Sequence, residues 1–163
     1  MNMKKKILIG IIVAVVAVGA VYAATHLPRT EAGIPELENG FGIYGSEVKF
    51  DGLYPGYSGN ASITIINGKD KDRVFFVSVM EASTLTKGYE AFPKEYFYWI
   101  TIEKNEVNIS AGGMEEISIT LSMPQDADYP DKHAEFRIRV GDLTQTGLVQ
   151  IALESKWYII TAS

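Results

Sequence analysis

The sequence has no cysteine. That excludes a disulfide framework, a Cys-ligated zinc site, a thiol nucleophile and a lipid-modified Cys anchor. Histidine is nearly as scarce, with His26 and His133 the only two in 163 residues. A Ser/His/Asp triad would have to use His133, which stands beside a polar loop and reads as a solvated side chain. The motifs His-Glu-x-x-His, Gly-x-Ser-x-Gly and Gly-Lys-Ser/Thr are missing. The Gly-rich stretch Gly40–Gly45 lacks the strand before and helix after that a phosphate loop requires. Glu115 and Glu116 are adjacent on a strand-like segment, so they point to opposite faces and cannot share one proton transfer. The chain is therefore expected to be no enzyme and to hold no cofactor. Basic charge is short as well. Three of the 15 Lys+Arg lie in the first 25 residues, which hold no Asp or Glu. The remainder carries 12 against 20 and a net charge of −8. Nucleic-acid binding needs a basic footprint and is not expected.

What the chain does have is two unlike parts. Lys4, Lys5 and Lys6 form a basic tip over residues 1–6, followed by an uncharged Ile-, Val- and Ala-rich run over residues 7–24. Eighteen residues at helical rise span about 27 Å, close to the hydrocarbon core of a bilayer. The Lys cluster on one side predicts a cytoplasmic N-terminus and an extracytoplasmic body. A cleavable signal peptide shares the basic start and the apolar stretch, and Val21-Tyr22-Ala23 offers a small-residue cleavage site. The run exceeds the usual signal core, which favours an uncleaved anchor; both readings export the body. Residues 25–40, with Pro28, Gly33, Pro35 and Gly40 among charged residues, read as a spacer.

Residues 41–163 follow period two. In Ile117–Met123 the odd positions are apolar and the even ones are hydroxyls. In Ala134–Val140 the even positions are apolar and the odd ones charged, as in a strand with one face in water. Ala61, Ile63 and Ile65 alternate with Ser62 and Thr64. Val149, Ile151, Leu153, Trp157 and Ile159 share one parity. Val74 to Met80 is almost continuously apolar and predicts a central strand. Tyr54-Pro55-Gly56 ends a strand over Val48–Leu53. Asn67–Asp72 predicts a hairpin loop, and Ala111-Gly112-Gly113 predicts the link of another pair. Helix in the body is expected to be one turn near Thr84 to Lys94. Seven or eight short strands predict an all-β, antiparallel sandwich.

The run Trp99–Ile102, Val107–Gly113, Ile117–Leu121, Pro124, Tyr129 and Phe136–Val140 resembles exported immunoglobulin-like or fibronectin-III-like sandwiches of archaeal and bacterial surface proteins. Pro55–Asn60 followed by Ile63–Asn67 is similar to the opening turn and strand of such domains. The resemblance covers Gly45 to Ile160. Two departures stand out: the Ser83–Phe97 connection is long and aromatic, and the Cys pair of antibody domains is absent. The resemblance implies a non-enzymatic, membrane-anchored surface protein that presents an immunoglobulin-like domain for protein interaction or adhesion. A structural subunit of a pilus, surface layer or virion is one alternative, and a carbohydrate-binding module is another.

Six of the 11 residues from Tyr89 to Trp99 are aromatic. On a strand, Tyr96 to Trp99 would alternate faces, so two would meet solvent or a partner. Tyr89, Phe92, Tyr96, Tyr98 and Trp99 are thus the candidate interaction surface for an envelope protein, a second copy or a glycan. The competing reading makes the segment a lid that fills its own core. Asn60 and Asn108 match the glycosylation acceptor pattern. Asp126, Asp128 and Asp131 share one loop, and Asp70 and Asp72 another, as weak calcium candidates. Phe41 and Ile43 alternate in an extended Gly-rich segment that is expected to pair with a sheet edge, in its own molecule or a neighbour's. Lipid is the expected partner of residues 7–24.

Overall fold

The computed structural model describes residues 40–144 and 151–163. The basic tip, the apolar run and residues 25–39 of the spacer lie outside them, as do Gly147 and Val149. Among the described residues no helix is long and apolar enough to cross a membrane. The described chain is nearly all strand, with ten strands in two facing sheets.

They are β1 (Phe41–Tyr44), β2 (Glu47–Leu53), β3 (Ser58–Asn67), β4 (Arg73–Glu81), β5 (Glu90–Ala91), β6 (Ile100–Ile102), β7 (Glu106–Ile109), β8 (Met114–Ser122), β9 (His133–Asp142) and β10 (Ala152–Thr161). One sheet runs β1-β3-β8-β6 and the other β2-β10-β9-β4-β7, with β5 alongside β9. The period-two stripes set the inner faces. Ile63 stands opposite Ile117, and Ala61 opposite Ile119. Phe136 stands opposite Trp157, and Val77 opposite Val140. Val74–Met80 is interior to its sheet, between β9 and β7, as its apolar run requires.

Four expectations change. The sheets are not wholly antiparallel, because β2 pairs β10, and β5 pairs β9, in parallel. The count exceeds eight because two segments change sheets midway. Residues 41–53 form β1 on one sheet and β2 on the other, and residues 100–109 split likewise into β6 and β7. Residues 67–72 are not a hairpin loop, since β3 and β4 belong to different sheets; 111–113 crosses between sheets in the same way. The cause lies in Asn67, fully buried, whose Nδ2 donates to the carbonyls of Lys71, Ile109 and Ser110 at 2.7, 3.0 and 3.1 Å. One amide thereby ties the two crossovers together. The helical turn falls at Lys94–Trp99 and is 3₁₀, because Pro93 supplies the extended residue before it.

The first sheet change turns on Gly45, which has φ +83°, and a Cβ there would stand 2.9 Å from the Ser62 carbonyl oxygen. Gly52 has φ +68° with open space around it. Gly52→Ala is therefore expected to cost only the left-handed strain, about 1–2 kcal/mol. Gly45→Ala should cost more, read as a larger drop in urea midpoint. Equal losses would mean that the sheet change tolerates a side chain.

Candidate functional site

The topology gives the body two poles. At one, Gly40 accepts from the Gly68 amide at 3.0 Å, close to the crossovers at 67–72 and 110–113. Whatever precedes Gly40 joins the body here. Asp142 is buried at this pole and forms an ion pair with Arg73. At the opposite pole lie the turn 54–57, the connection 82–99 and the loop 123–132. The turn and the loop are joined by Gly56 N–H to Met123 O at 3.1 Å and Met123 N–H to Tyr57 O at 2.8 Å.

This second pole is aromatic, and its rings sort into core and surface. Phe92 is fully buried and Trp99 is 2% exposed, so neither belongs to an interaction surface as expected from sequence. Faces alternate residue by residue on a strand, whereas the 3₁₀ turn has three residues per turn and eclipses positions i and i+3. Tyr96 accordingly stacks on Trp99, with centroids 4.5 Å apart and planes 18° apart. Phe92 packs edge-on against Trp99 and Tyr129 at 5.7 and 6.0 Å. Tyr129 donates to Glu90 Oε1 at 3.3 Å, and burial together with that carboxylate pushes its phenol well above the ordinary tyrosine range. Tyr89 and Tyr96 are half-buried, and Tyr98 is 70% exposed. Tyr54, which sequence reasoning passed over as a turn residue, is 60% exposed.

The outer face of β9 departs from expectation too. The alternation of Ala134–Val140 puts Glu135 and Arg137 on a solvent face, yet they are 0% and 4% exposed. The connection after β4 crosses over them as a strap. Thr86 N–H donates to Glu135 Oε2 at 2.7 Å, and Arg137 Nη2 donates to the Thr84 carbonyl at 2.8 Å. Arg137 Nη1 donates to Glu135 Oε1. Tyr89 completes the cover, its ring tilted 54° against that of Tyr158 with centroids 4.7 Å apart. Burial pushes the Glu135 carboxyl upward. The Thr86 amide, the Arg137 guanidinium and the Thr86 hydroxyl outweigh that and hold it below the ordinary carboxylate range. The signal in the sequence was the length of the connection from Glu81 to Phe92, which has to cover some part of the sandwich.

Asn60 and Asn108 are both exposed, one on each sheet. Asp126, Asp128 and Asp131 are exposed, and among the described residues no three acidic or histidine side chains are placed to hold a metal ion. Asp72 instead accepts from the Ala111 amide at 3.0 Å, as a turn cap does. Segment 41–44 pairs within its own molecule, with Phe41 opposite Asn67 and Tyr44 opposite Thr64.

No protein-family model matches the sequence, and no curated protein does either. Solved structures do resemble it. The PapD-like domain 7 of human CEP192 aligns with a TM-score of 0.54 at 13% identity, over 75% of this chain and 84% of that one. The periplasmic chaperone SfaE aligns with a TM-score of 0.53 at 10% identity, over 76% and 58%. A chain of the chaperone–tip adhesion subunit pre-assembly complex of the Csu pili of Acinetobacter baumannii aligns at 0.51 and 15%, over 75% and 52%. This chain thus spans a little over half the length of the latter two. At such identities the likeness is one of fold alone, an immunoglobulin-like β-sandwich.

Proposed function

We propose that the chain is a non-enzymatic, membrane-tethered protein whose extracytoplasmic sandwich binds another protein through its aromatic pole. One observation carries this reading. The chain joins the body at Gly40, while Tyr54, Tyr98 and the long loops lie at the other end. A tether through residues 7–24 and the spacer leaves the aromatic pole free for a partner. The fold likeness to PapD-like domains, among them one in a chaperone–adhesion subunit complex, supports a protein rather than a small molecule as that partner.

Strand exchange between copies is a weaker basis for function. The edge strands β1, β6 and β7 are four, three and four residues long, and the longer β2 carries Glu47, Lys49 and Asp51. Short or charged edges resist pairing with another chain. A sugar platform would need a broad exposed ring, and the indole of Trp99 is buried.

The topology is tested in intact cells expressing the full chain. Added protease should digest the body while the N-terminal tip stays protected until the membrane is broken. A body protected until lysis overturns the topology. A mature chain beginning after Ala23 would replace the anchor by a cleaved leader and leave export intact.

A further inference from the structure

The aromatic pole holds a cavity of about 210 Å³. Leu53, Met123 and Tyr129, all nearly buried, line it together with Ala127 and Ala162, and the exposed ring of Tyr54 stands at its rim. The volume lies below the few hundred Å³ that a drug-sized ligand occupies and suits one side chain. Apolar floor, aromatic rim and polar surround are the anatomy of an anchor pocket at a protein interface.

The rim is acidic. Asp128 lines the cavity, and Asp126 and Asp131 stand in the same loop, all exposed. Among the described residues none of the three side chains forms an ion pair or hydrogen bond. The nearby cation, Lys132, is engaged with Glu90 at 3.3 Å and lies over the Tyr129 ring at 5.9 Å. The Asp128 carboxylate at the apolar pocket, with Asp126 and Asp131 in the same loop, favours a ligand with apolar centre and basic flanks. The net charge of −6 over residues 41–163 (11 Lys+Arg against 17 Asp+Glu) steers the same ligand toward it over longer range.

We propose that this pocket anchors the partner: it takes one aliphatic or aromatic side chain from a protein segment whose neighbouring residues are Lys or Arg. The inference rests on reading the body as a protein-binding domain and adds the chemistry of what it binds.

The experiment selects random peptides from a display library on the full-length chain, held in phosphatidylcholine nanodiscs. Enriched peptides should carry an apolar residue beside Lys or Arg. Their affinity should fall about tenfold or more on the Asp126→Lys/Asp128→Lys variant and on Tyr54→Ala, a loss of about 1.4 kcal/mol or more. Raising the salt concentration should weaken them as well. All three changed residues are exposed, so the variants are expected to fold, and unchanged urea midpoints check that they do. Enriched peptides without basic residues, or peptides that bind the variants as tightly as the parent, overturn the proposal. Failure to enrich any peptide overturns it too, and leaves the protease result on topology standing by itself.

Discussion

Arg137→Met should destabilise the body by about 3–5 kcal/mol, the usual cost of removing one partner of a buried ion pair. Glu135 would remain fully buried beneath the strap with its guanidinium gone. The Thr86 N–H at 2.7 Å and the Thr86 hydroxyl, both neutral donors, would then be left to face the carboxylate. The strap would also lose the bond from Arg137 to the Thr84 carbonyl. Glu135→Gln is the milder change. It keeps an acceptor for Thr86 and leaves Arg137 near Glu154, whose Oε2 is 3.9 Å from Arg137 Nε. It should cost about 1.5–3 kcal/mol, the range for a hydrogen bond to a charged group. Urea unfolding at constant m-value reads both. A double replacement by apolar residues of similar volume should cost less than the sum of its singles, because neither charge is then stranded. Additive losses would mean that the two groups do not act as a pair.

The same pair sets a pH dependence with a definite sign. Glu135 has a folded pKa below its ordinary value of 4.5. The folded state therefore favours the charged form. That stabilisation is fully present above pH 4.5 and is lost as pH falls through the depressed folded value. The parent chain should shed stability in this acid window, and Glu135→Gln should lack that component. An identical acid profile in both chains would detach the effect from Glu135.

This latch marks the limit of what the sequence made legible. The inner faces were readable because burial imposes period two on one face: Ile117, Ile119 and Leu121 are all at or below 1% exposure. The outer face of β9 obeyed the same alternation, with Glu135, Arg137 and Arg139 in odd positions. Alternation reports that a face is polar, and it is silent on whether water or another segment covers that face. Only Arg139 keeps partial exposure; its two neighbours lie under a strap folded from residues distant in sequence. The sheet changes were hidden for a related reason. Asn67–Asp72 has the composition of any tight connection, and its assignment to a crossover depends on Asn67 reaching carbonyls 42 and 43 residues away. The acidic loop at 126–131 was visible as composition, and its place beside an apolar cavity was not.

The second large effect separates core from surface within two adjacent residues. Trp99→Ala is expected to cost about 3–5 kcal/mol, as for a buried Trp whose neighbours cannot close the cavity. Tyr98→Ala should stay within about 0.5 kcal/mol, because its ring stands mostly in solvent. The difference follows from the turn that carries them. The 3₁₀ geometry brings Tyr96 under Trp99, and Phe92 and Tyr129 close the other sides of the indole, so deletion empties a cage of rings that sequence distance holds in place. Trp99→Phe sharpens the test. The indole Nε1 is buried without a hydrogen-bond partner among the described residues. Phenylalanine removes that unsatisfied donor, worth about 1–3 kcal/mol, while giving up part of the packing. Its net cost should therefore fall well below that of alanine. Partner binding should follow the reverse order, with Tyr98→Ala weakening it and Trp99→Phe leaving it unchanged in the folded protein. If Tyr98→Ala proves as destabilising as Trp99→Ala, the exposed ring is part of the core after all and the aromatic pole loses one of its two exposed anchors.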